Sequence, residues 1–75
     1  MNDNRIYSNI GIAFAIAADA LQNGGNVFKL VEQAVAQSES VHGPMSPDEK
    51  NYLLLLAGSA HSLASAAVQA AKKSP

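Results

Sequence analysis

Residues 46–56 read SPDEKNYLLLL, a helix start followed by a run of four leucines. Ser46 is placed to accept the backbone N–H of Glu49, and Glu49 to reach back to Ser46, the reciprocal pattern that satisfies two orphan donors of a first turn. Pro47 takes the first helical position, where its missing N–H costs nothing. Asp48 and Glu49 oppose the positive end of the helix macrodipole. Met45, just before the cap, is placed to pack on the stem of Lys50 as a weak hydrophobic staple. No breaker follows until the chain end, and Lys72-Lys73 complement a helix C-terminus. The expected helix covers 47–72 and is roughly 39 Å long. Leu53, Leu56, Ala57, Ala60, Leu63, Ala64, Ala67 and Ala71 share its main face, which suits an antiparallel hairpin partner.

Upstream of this helix stands His42-Gly43-Pro44. Pro44 disfavours α conformation at Gly43, so a second helix ends nearby. That helix is expected over 27–40, with Val27, Leu30, Val31, Ala34 and Val41 on one face and Phe28 and Val35 at its edge. Lys29, Glu32, Gln33, Ala36 and Glu39 lie opposite. Before it comes Asn23-Gly24-Gly25-Asn26, where Gly supplies φ > 0 at a helix end and Asn can cap the next start. Two adjacent Gly inside one kinked helix would cost roughly 2 kcal/mol against Ala, so a break is expected. The first helix then covers 4–23, with Ile6, Ile10, Ala13, Phe14, Ala17, Ala20 and Leu21 on one face and Ser8, Ala15, Asp19 and Gln22 opposite. Val and Ile recur at helical spacing and nowhere alternate, so no strand is expected.

The chain reads as one all-α domain over 1–75, a small helical hairpin or three-helix domain with a long C-terminal helix. At 75 residues such a domain buries only about 60% of its unfolded surface, which leaves a lone copy marginal. Cysteine is absent, so disulfides cannot compensate, and much of the 48% apolar content is Ala. A homo-oligomeric helical bundle is the expected remedy. The residues that point to it are Ile12, Ile16, Leu54 and Leu55, which lie off the main faces of their helices. A homodimer interface is expected to cover them, with a foreign partner or packing under the middle helix as the alternatives, since single exposed aliphatics are also normal.

The chemistry is sparse. His42 and His61 are the only histidines, and no Asp or Glu stands three or four residues from His61, so no helical metal pair exists. His61 is expected to be a partly buried, hydrogen-bonded histidine, and Asp19 to mark a solvent edge. Ser59, Ser62 and Ser65 lack a base and an orienting group. Gly24-Gly25 lacks the Lys and Ser/Thr of a phosphate loop. A formal net charge of -1 and the lack of a basic cluster exclude an electrostatic nucleic-acid binder. Ser59, His61, Ser62, Ser65 and Gln69 interrupt the one apolar stretch long enough for a membrane, so no membrane span is expected. Asp3 and Arg5 cancel, which makes a secretory leader unexpected and a cytoplasmic location expected. The resulting expectation is a non-enzymatic protein-interaction or regulatory subunit, of the inhibitor or adaptor type found among phage and mobile-element accessory proteins. It would need no cofactor and no metal, and would act as a homodimer on a protein partner. The alternative is a small-ligand or nucleotide sponge, with Tyr7, Phe14, Tyr52 and His61 lining a site between helices or subunits.

Overall fold

A computed structural model describes residues 3–73, and these form three helices and no strand: α1 (Asp3–Asn23), α2 (Val27–His42) and α3 (Pro47–Lys73). Each boundary falls within two residues of its sequence expectation, and the local reasons are visible. Gly24 ends α1 at φ 69°, and the N–H of Gly25 donates to the carbonyl of Ala20 at 3.2 Å. This is the Schellman arrangement, which needs a residue without Cβ at the left-handed position. Asn26 is extended and its Oδ1 accepts the Lys29 N–H at 3.3 Å, so the break between α1 and α2 is real and capped on both sides. Ser46 caps α3 as its spacing requires, accepting the Glu49 N–H at 3.2 Å.

The loop between α2 and α3 is held by Glu39. Its backbone carbonyl accepts the N–H of Gly43, which sits at φ 87°, and its carboxylate accepts the N–H of Met45 at 2.9 Å. Lys50 Nζ stands 3.6 Å from the same carboxylate. One residue thus closes α2, fixes the loop and reaches the first turn of α3. The Met45 N–H holds the Glu39 carboxyl below the ordinary carboxylate range, and the Lys50 charge acts in the same direction. Met45 itself is buried.

Two short connections reverse the chain twice, so α1 and α3 run parallel with α2 antiparallel to both. Arg5 and Asn9 of α1 meet Glu49 of α3, which sets the register at the starts of the two helices. The antiparallel partner expected for α3 is therefore not its main one. Its principal contact is α1, and the buried positions of the two helices include the small residues Ala13, Ala17 and Ala20 on α1 and Ala57 and Ala60 on α3, which permit a close approach. Ala13 and Ala57 are wholly buried.

The core cluster is Ala13, Ile16, Val31, Leu53 and Ala57, with Ile12, Leu30, Ala34, Val35 and Leu54 packed around it. Here the helix α2 decides which residues are covered. It approaches the α1–α3 pair from one side and rotates the buried arc of each helix toward itself. Ile16 is buried and Ile12 and Leu54 are half-buried within the chain, although helical spacing left them outside the simplest hairpin core. Phe14 and Leu63, assigned by spacing to packed faces, are instead 58% and 74% exposed, and Val41 is exposed at the end of α2.

Among the described residues Leu53 is the one large side chain buried to below 2% exposure, so the core hangs on it. Leu53→Ala is expected to cost about 2–5 kcal/mol, which is comparable to the whole stability of so small a domain. Urea denaturation followed by circular dichroism checks this, and an unchanged midpoint would contradict it. The carboxyl of Glu39 has a lowered pKa in the folded state, so its contribution is complete above the unfolded value of about 4.3 and disappears as pH falls through the folded value. The stability gap between wild type and Glu39→Gln is therefore expected to be constant from neutral pH down to about pH 5 and to shrink steadily as pH falls below the unfolded value of about 4.3. Thermal melts across that range measure it.

Candidate functional site

Side chains able to hold a metal do not gather in this fold: the described residues contain no group of three or more His, Asp or Glu side chains placed to share an ion. His42 is exposed at the end of α2, and His61 is half-buried on α3. Asp19 is exposed and accepts a hydrogen bond from Asn23, one turn along the same helix, in keeping with a solvent edge. Among the described residues, the features left to carry function include three surface grooves and a polar cluster.

The polar cluster lies where α1 and α3 begin. Glu49 is buried, and its carboxylate pairs with Arg5 at 2.9 Å and accepts from Asn9 Nδ2 at 3.3 Å. The capping reciprocity anticipated from Ser46 and Glu49 is thus only half used. The Glu49 N–H donates to Ser46, but its carboxylate turns inward to α1. Asn9 is 4% exposed, and the described residues contain no buried side-chain N or O without a hydrogen bond. The sequence held one signal for this cluster. Asn9 interrupts an apolar stripe of heptad spacing, Ile6, Asn9, Ala13, Ile16 and Ala20, and a polar residue in such a stripe needs a partner. A groove of about 700 Å³ between α1 and the end of α2 opens onto Arg5, Asn9 and Glu49. Because these groups satisfy one another, the groove offers a ligand little unmet hydrogen bonding.

The other two grooves flank α2 on the side of α3. One, of about 270 Å³, runs beside Val35, Glu39, Lys50 and Leu54. The larger, of about 790 Å³, lies across the first turn of α2 and the middle of α3. Phe28, Leu54, Leu55 and Leu63 line it, with Asn51, Ser59, His61 and Ser62 among the polar residues at its edges. Phe28 and Leu55 are 62% and 71% exposed.

The sequence-derived interface set therefore divides. Ile12, Ile16 and Leu54 pack within the chain under α2, and Leu55 stands free in the large groove. The proposed ligand-lining set also separates. His61 lines the large groove, whereas Tyr7, Phe14 and Tyr52 line none of the three grooves. Spacing places Leu63 on a packed face and Phe28 at the edge of one. Their exposure depends on where α2 starts, 27 to 36 positions away along the chain from α3 residues such as Leu54 and Leu63, and no local pattern encodes it.

No family model, no curated protein and no solved structure matches this chain.

Removing Glu49 takes a buried carboxylate away from Asn9 and Arg5 and also loses first-turn acidity in α3. Glu49→Ala is expected to cost about 2–4 kcal/mol. Arg5 is 40% exposed at its side chain, so Arg5→Ala is expected to cost no more than about 1 kcal/mol. Urea midpoints of the two variants give the comparison, and a larger loss for Arg5→Ala would reverse the assignment of Glu49 as the centre of the cluster.

Proposed function

We propose that the chain is a non-enzymatic, cytoplasmic helical interaction protein that works as a homodimer and takes an apolar helix of a partner protein into the groove between α2 and α3. The supporting observation is the cluster of large apolar side chains around that one groove: Phe28 and Leu55 are 62% and 71% exposed, and Leu54 floors the space between them. Single exposed aliphatics are ordinary on a protein surface, but several around one concavity mark a binding site.

The shape and chemistry of the groove favour a helix as its occupant. Two antiparallel helices form its walls, and a third apolar helix can lay i, i+3 and i+4 anchors between them. Phe28 supplies a large, stiff apolar anchor of the kind that dominates binding energy. Asn51, Ser59, His61 and Ser62 supply polar groups at the rim. By length and composition α3 is also apolar enough to cross a membrane. Ser59, His61, Ser62, Ser65 and Gln69 along it support the reading as a non-spanning helix, although only 17% of its apolar window is buried in the fold.

Leu55→Glu tests the groove, because Leu55 contributes little to the core. Its helicity and melting temperature are expected to match wild type. Affinity capture from the native host, with cross-links mapped to the bait, is expected to return a protein joined to α2 and α3 residues by wild type and lost about tenfold or more with Leu55→Glu. A partner retained equally by the variant, or cross-linked elsewhere, would refute the groove as its site.

A further inference from the structure

We infer that a second copy of this chain docks on the face of the α1–α3 pair turned away from α2, an inference that rests on the reading of the protein as a self-associating subunit. The helix α2 lies beside Ile12 of α1 and Leu54 of α3, while Leu56 packs against the core from α3 and is half-buried. At 100° per residue, Ile10, Phe14 and Leu21 lie on the flank of α1 opposite Ile12 and Ile16, and Leu56 and Leu63 lie on the flank of α3 opposite Leu54. Since α1 and α3 are parallel neighbours, these flanks join into one uncovered face, with Tyr7 at its edge.

The face is apolar and free of charge. Between Ile6 and Leu21, and between Tyr52 and Leu63, it carries no Asp, Glu, Lys or Arg. Asp19, the only charge in the first of these spans, is two residues from Leu21 and therefore on the far side of α1. A face without charges gives no electrostatic means of selecting a different protein, and it meets its own copy without juxtaposing like charges. In a two-fold dimer the same patch serves both sides, and two flat helix pairs stack into a four-helix layer.

The area is also of the right size. Tyr7, Phe14 and Leu63 are 71%, 58% and 74% exposed, and Ile10, Leu21 and Leu56 are half-buried. With aromatic side chains covering about 150–250 Å² each, the face leaves on the order of 500 Å² of apolar surface per chain. Two copies together bury about 1,000 Å², the lower bound for a specific interface. This adds large side chains to a fold whose own core contains one fully buried large residue, Leu53. Leu63 borders both this face and the groove at Leu55, whereas Phe14 and Tyr7 belong to the face alone and Leu55 to the groove alone.

Sedimentation equilibrium from about 5 µM to about 1 mM, with circular dichroism on each sample, tests the inference. Wild type is expected to pass from one chain to two over this range. Phe14→Glu is expected to keep its helicity and to weaken association about tenfold or more, and Leu55→Glu to associate as wild type does. Should Phe14→Glu lose helicity, Tyr7→Glu, at a site 71% exposed, carries the same expectation and decides the matter. Dissociation by Leu55→Glu with Phe14→Glu and Tyr7→Glu unaffected would overturn this face while leaving self-association intact. A wild type that stays a single chain throughout would overturn both, leaving the groove to its own test.

Discussion

The close parallel contact of α1 with α3 governs the rest of the molecule. Its buried positions include the small residues Ala13, Ala17 and Ala20 on α1 and Ala57 and Ala60 on α3, which permit the two backbones a close approach. Packing of this kind gains dispersion contacts but buries few methylenes per residue. It also has weak axial specificity, because one alanine resembles the next. The register is supplied from the end, where one carboxylate, Glu49, takes both Arg5 and Asn9. The arrangement joins a featureless apolar seam to a single polar lock, and a buried polar group is best understood here as a device of position.

Much of this was legible in the residues. Helix number, helix limits and caps follow from local chemistry, and Ser46, Pro47, Asn26 and Gly24 act where their types prescribe. The packing was less legible, and the reason is specific. An Ala-rich helix has a weak hydrophobic face, because Ala13 and Ala15 look alike whichever side is buried. The sequence pattern therefore centred the α1 face on Phe14, while the structure centres it on Ala13 and Ile16. The displaced element is α2. Its side of approach is a long-range choice, and it alone decides that Ile16 is inside and Phe14 outside. Glu49 was readable as a cap residue but not as a tertiary partner of α1, since the local pattern already accounted for its charge.

The same asymmetry creates the functional surfaces. A three-helix domain can close on itself only if each helix shields both others. Here α2 is short, 16 residues beside the 27 of α3, and it shields one side of a longer pair. What it cannot reach remains apolar: the α1–α3 face on one side, and the ground beyond its first turn at Phe28 and Leu55 on the other. Both surfaces arise from the mismatch in helix length and from the side on which α2 lies.

The C-terminal end of α3 carries a different consequence. From Ala66 to Lys73 every residue is exposed, beyond the level at which α1 ends. The first half of this helix is held by tertiary packing, and the last two turns by the intrinsic preference of alanine alone. Opening free energies therefore fall along a single continuous helix, from near the global value around Leu53 to almost nothing near Lys73. The α3 helix is one element geometrically and two thermodynamically, a rigid post with a tip that frays and reforms on the timescale of isolated helices.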